Sequence, residues 1–226
     1  VDQVYYSRIA SATFDFLDSP WYGCLSMAGG RFHGATFIRW SIQHWDITNA
    51  DLSDSVWIHG FLCESDFSGS DLSGAQFIGA TNAASCADYS SQGWPTSWPH
   101  SLLFVGANLT GARIGGNDAL AQQHTSGQVG SGPWSPSFGR GGSGPDFTGA
   151  NLTGLIVERA DLSAADFTAT SPEGGSFADS SWRGAHFDPA WATATTTWTG
   201  WHDFDGATCP DGSLGASDHL CFAGSN

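Results

Sequence analysis

For most of this chain every fifth residue is apolar, and that period constrains the fold more than anything else in the sequence. From Leu17 the series runs through Tyr22, Met27, Phe32, Phe37, Ile42, Ile47, Leu52, Trp57, Leu62, Phe67, Leu72 and Phe77. A helix would repeat near 3.6 residues and a strand every second residue, so neither accounts for it. Two places before each apolar residue, from Ala35 onward, the side chains are mostly small: Ala35, Ala50, Ser55, Gly60, Ser65, Ser70 and Ala75. The register returns at Phe104, Leu109 and Ile114. It returns again at Phe147, Leu152, Val157, Leu162, Phe167, Phe177, Trp182 and Phe187, skipping only Pro172.

Segments such as Ala50-Asp51-Leu52-Ser53, Gly106-Ala107-Asn108-Leu109-Thr110, Gly149-Ala150-Asn151-Leu152-Thr153 and Ala160-Asp161-Leu162-Ser163 resemble the pentapeptide-repeat family. The resemblance implies an all-β fold, a right-handed quadrilateral parallel β-helix in which four pentapeptides make one square coil. The central Leu or Phe and the small residue two before it would point inward, and the other three would face solvent. Residues twenty apart would then stack about 4.8 Å apart, the ordinary strand spacing. Such columns read sensibly here: Leu17, Phe37, Trp57 and Phe77 on one side, Tyr22, Ile42 and Leu62 on the next, and a ladder of Phe147, Phe167 and Phe187. The whole chain reads as one β-helical domain, with residues 1–20 as an N-terminal cap and 193–226 as a C-terminal cap.

The period breaks between Phe77 and Phe104 and between Ile114 and Phe147, each time by a step that is not a whole number of pentads. Two long loop insertions are expected there, at 81–102 and 115–145. The first holds Trp94-Pro95, Trp98-Pro99 and His100; the second is Gly/Ser-rich and carries His124 and Trp134. Trp40 and Trp45 stand where a small residue is expected, so they either plug the bore or turn outward beside His44.

Charge and cysteines bound the function. The net charge is −15, from 22 acidic and 7 basic residues. A field of that sign repels nucleic acid and anionic membranes and favours a cationic partner, or a protein whose natural ligand is DNA. Eight of the acids, Asp46, Asp51, Asp66, Asp71, Asp146, Asp161, Asp166 and Asp203, read as turn residues of the repeat itself. No apolar run reaches the roughly 18 residues that a membrane helix needs. Cys209 and Cys221 flank a Pro-Asp-Gly turn and read as a disulfide, which points to an oxidising compartment. Cys63 and Cys86 form a weaker pair, and a fifth cysteine, Cys24, is left over. The start at Val1 suggests that an N-terminal piece has been removed.

No catalytic motif stands out, and no catalytic residue, metal or cofactor is assigned. Cys24, His44 and Glu64 share an outward column, but its ends would lie about 9.6 Å apart, too far for one zinc. Three functions stay open. In the first, an exported, non-enzymatic scaffold or binding protein recognises a partner protein or small molecule through its Trp-rich loops. The binding candidates are then Trp40, His44, Trp45, Trp94, Trp98, His100 and Trp134. The family resemblance implies the second, a cytoplasmic DNA mimic that inhibits or protects DNA gyrase. The third is an enzyme acting on a small apolar molecule in a loop-covered pocket, with His44 or His100 as acid or base.

Overall fold

The computed structural model describes residues 2–3, 11–15, 25–38, 41–43, 45–63, 65–81, 102–115, 144–216 and 221–222. The strands are β1 (Asp2–Gln3), β2 (Thr13–Asp15), β3 (Leu25–Ser26), β4 (Thr36–Ile38), β5 (Ser41–Gln43), β6 (Val56–Cys63), β7 (Gln76–Thr81), β8 (Arg113–Gly115), β9 (Ile156–Glu158), β10 (Asp166–Phe167), β11 (Ser176–Ser181), β12 (His186–Phe187) and β13 (Thr197–Asp203). All of them pair in parallel. The fold is a right-handed, four-sided parallel β-helix.

Side 1 is the large sheet, ordered β13-β11-β9-β8-β7-β6-β4-β2. Side 3 is a ladder of single bridges through Ser26, Asp46, Asp66, Leu103, Asp146, Asp166, His186 and Thr208. Side 4 bridges Arg31, Asp51, Asp71, Asn108, Asn151 and Ser171. Side 2 pairs Ser41–Gln43 with Phe61–Cys63 near one end and Asp161 with Ser181 near the other.

Each corner is a tight turn set by the pentad. The N–H three residues after an inward residue donates to its carbonyl, as from Ser70 to Phe67 at 3.1 Å and from Ala107 to Phe104 at 3.0 Å. The residue between them takes positive φ, +68° at Gly69 and +63° at Gly106, which is the type II turn and its demand for glycine. The repeat aspartates stabilise the same corner. Asp66 Oδ1 accepts the Ser68 N–H at 2.8 Å, Asp146 that of Thr148 at 2.8 Å, and Asp203 that of Asp205 at 3.0 Å. All eight aspartates assigned to the repeat make this bond to the residue two places on.

The bore is packed solid. On side 3, Phe67, Phe104, Phe147, Phe167 and Phe187 stack face to face, with successive ring centroids 5.2, 4.9, 5.1 and 5.4 Å apart. The expected ladder of three therefore extends to five, running unbroken past both insertions. On side 1, Trp57 lies between Phe37 at 4.0 Å and Phe77 at 5.9 Å. Pro172 is buried in the inward place of its pentad, so the period continues through it.

The structure corrects the sequence reading at three points. The Cα partner of Phe37 is Phe14, not Leu17, because the first coil is 23 residues long rather than twenty. Strand β13 pairs with β11 and the coiling runs on to Thr208, so residues after 193 do more than cap the end. Finally, not every outward position meets solvent. Ile38, Ile58 and Ile78 point away from the bore on side 1, yet their exposures are 4%, 0% and 1%. Ile58, Ile78 and the partly buried Val56 form a small apolar cluster separate from the core.

Two substitutions separate packing from turn geometry. Phe67→Ala removes a ring wedged between Ile47 and Phe104 levels, and urea denaturation should show a loss of about 3–5 kcal/mol. Gly149→Ala adds a methyl with nothing within 4 Å, but at φ +67°. Its cost should be conformational alone, about 1–2 kcal/mol by the same measurement.

Candidate functional site

Neighbouring levels of side 3 are normally twenty residues apart, as from Asp46 to Asp66 and from Asp146 to Asp166. From Asp66 to Leu103 the step is 37, and from Leu103 to Asp146 it is 43. Side 1 meanwhile continues without a gap, Phe77 pairing with Ile114 and Ile114 with Val157. Both insertions therefore lie between side 1 and side 3 at successive levels, the interval that side 2 occupies in other coils, and at the first of them Thr81 still pairs with Phe61 of side 2. The first follows β7, whose last residue is Thr81, and returns at Leu102, which is fully buried. The second follows Gly115 and returns at Gly144, also buried.

Gly115 departs from the path of the levels around it. It has φ +89° at a place where Ile78 and Glu158 continue as ordinary strand. The chain thus turns off the sheet at the level next to Ile78. Nearby, Arg113 pairs with Glu158 across one level at 2.7 Å, both half-buried. The buried isoleucine stripe of side 1 ends at this same edge. Pentad logic assigns these positions to solvent, so the only signal in the sequence was the recurrence of Ile at twenty-residue steps.

Of the candidate binding residues, the structure describes Trp45. It is 4% exposed, inside the bore, with its N–H donating to Ser65 Oγ at 3.3 Å. It plugs the bore, the first of the two expectations. Trp40, His44, Trp94, Trp98, His100 and Trp134 lie outside the described residues, as do Cys24 and Cys86 and the side chain of Cys63. Among the described residues no three His, Cys, Asp or Glu side chains are grouped to hold a metal.

Cys209 and Cys221 are joined in a disulfide, with their Cα atoms 5.0 Å apart. The link closes a 12-residue separation at the C-terminal end, where Cys209 is buried. Within it the chain doubles back: the Cys209 N–H donates to Ser213 O at 2.9 Å and the Gly215 N–H to Ala207 O at 2.8 Å.

A five-residue turn unit repeated on four sides defines a class of β-solenoid, and comparison with known proteins agrees. The family model for pentapeptide repeats matches eight copies, at residues 46–81 and 146–171. The chain thus carries pentapeptide repeats over those residues. Among solved structures it is similar to HetL, a pentapeptide repeat protein involved in heterocyst differentiation regulation in the cyanobacterium Nostoc sp. strain PCC 7120. Identity is 15% over 92% of this chain and 91% of that one, with a TM-score of 0.27. It is also similar to QnrB1, a plasmid-mediated fluoroquinolone resistance protein, at 15% identity, 89% and 73% coverage and a TM-score of 0.29. Rfr23 from the cyanobacterium Cyanothece 51142 matches at 13% identity, 78% and 88% coverage and a TM-score of 0.27. No curated protein matches.

The disulfide yields a direct test. Closing so short a loop stabilises the fold by up to about 3 kcal/mol on the chain-entropy account. Cys209→Ser should lower the melting temperature and convert non-reduced peptide maps from one linked 209/221 species to separate peptides.

Proposed function

We propose that this protein is an exported, non-enzymatic scaffold that binds a partner through its two insertions. The observation that carries the reading is their placement: both fall between side 1 and side 3 at adjacent levels, while sides 1, 3 and 4 continue undisturbed. A solenoid level depends only on its neighbours, so that interval can be given over to another task without loss of the remaining ladders. Long connections on a rigid frame are where recognition usually lies. The insertions bring three tryptophans, Trp94, Trp98 and Trp134, a residue type enriched where proteins bind. The Cys209–Cys221 disulfide supports an oxidising destination.

One observation favours a second reading, the acidic mimic that binds DNA gyrase. Asp46 and Asp66 stand in register on side 3, as do Asp146 and Asp166, and Asp51 and Asp71 on side 4. Each of these carboxylates commits Oδ1 to its own turn, and Asp46 Oδ2 also accepts from Ser26 Oγ at 3.4 Å, so the columns serve the fold first.

The readings separate experimentally. Deleting 82–101 or 116–143 should leave the β-type circular dichroism and cooperative melting in place. It should abolish capture of the partner that the intact protein retrieves from its extracellular surroundings. Retention of that partner by the doubly deleted protein would refute loop recognition. Under the gyrase reading, purified protein would inhibit supercoiling, and added salt would sharply weaken the effect, because mimicry acts through charge.

A further inference from the structure

The last coil places a histidine where the two levels before it on the same corner keep Ala160 and Ser180. His202 is in register with Ser180, and the Ala160 N–H donates to Ser180 Oγ at 3.2 Å, so the inward column runs Ala160, Ser180, His202. His202 is only 6% exposed. Trp198 meets its ring edge-on at 5.1 Å, and Phe204 lies at 6.0 Å. The Trp182 Nε1–H donates to His202 Nδ1 at 3.4 Å. An indole nitrogen can only donate, so Nδ1 must be the bare nitrogen and the ring proton sits on Nε2. That Nε2 makes no hydrogen bond of ordinary geometry, though the carbonyls of Thr199 and Ser180 lie close enough to the ring to favour its charged form.

We propose that His202 is an acid-sensitive latch on the C-terminal coil: protonation sets an Nδ1–H donor against the Trp182 donor and opens the helix end from β13 through the Cys209–Cys221 loop. The consequence is local because Trp182 and Trp198 belong to one packed group with Phe204 and Phe222. Phe222 in turn is adjacent to the disulfide. A latch that gives way in this place loosens β13, the end strand of the large sheet, from β11 and exposes the apolar residues beneath it.

The surroundings oppose the charged form on balance. Burial is the largest influence and holds the His202 pKa below its ordinary value of 6.5. The carbonyls of Thr199 on β13 and Ser180 on β11, together with the Asp179 carboxylate, act the other way and do not overcome it. The turn after β11 contributes Arg183, which pairs with Asp203 at 3.4 Å and Asp205 at 2.8 Å. These three and His202 border a cavity of about 400 Å³ beside the exposed Trp201, a route by which water reaches the ring. A histidine with a lowered folded pKa contributes stability that is fully present above about pH 6.5 and lost as the pH falls through the folded value.

The test is hydrogen exchange followed by mass spectrometry on the intact chain at pH 7.5 and 5.0, corrected for the intrinsic pH dependence of exchange. Acidification should cost residues 197–209 at least tenfold in protection while 46–81 are unchanged, and His202→Gln should remove the difference. A uniform response along the chain, or an acid response that persists in His202→Gln, overturns the proposal. Should that variant fail to fold, ring titration of His202 in the wild-type protein by NMR decides: a pKa at or above 6.5 overturns the latch, and a lower one coincident with the exchange transition supports it.

Discussion

Everything in this molecule depends on vertical alignment of successive coils at one strand spacing, about 4.8 Å. Backbone hydrogen bonds and side-chain stacking act along the same axis. The Asp71 N–H donates down to Ala50 O at 2.9 Å and the Asn108 N–H to Ser70 O at 2.9 Å, while Phe rings ride above one another at nearly the same pitch. A coil that lost register would forfeit both at once. The corner turn keeps the register, and it does so with short-range chemistry: a left-handed residue, usually glycine, and an aspartate or asparagine that caps the amide two places on. Among the described residues seven non-glycines take positive φ, Asn49, Asp54 and Ala164 among them, which shows how strongly the stack overrides local preference.

Much of this architecture was legible because a period of five has one structural meaning when held for so long. The inward positions from Met27 to Phe187 follow from counting alone, and so does the role of the repeat aspartates. Counting fails where coil length changes. The first coil takes 23 residues between Phe14 and Phe37, and the last takes 22 between Ser180 and His202, so Phe14 and His202 fall out of phase. The isoleucine stripe escaped for a different reason. The pentad rule separates inside from outside, but it carries no information on which outside surfaces are buried.

Most interior levels use Ala, Ser or Gly two places before the central residue, though Leu102, Pro145, Leu155 and Thr170 are exceptions. Toward the N-terminal end Trp45 takes such a place above Ser65, and at the C-terminal end His202 takes one above Ser180. Trp45 still has the Ser26 level beside it, whereas His202 stands in the last coil, beyond β11, where a large ring fills space next to Ser180. The polar edge of that ring then has to find a partner within a nearly closed aromatic cage.

The placement of the two insertions has a consequence for how many things this protein can hold. Their points of departure, after Thr81 and Gly115, belong to consecutive turns of the same stack, and Phe77 and Ile114 are direct neighbours. A folded partner seated at one root would overlap the other, so the roots themselves offer room for one occupant.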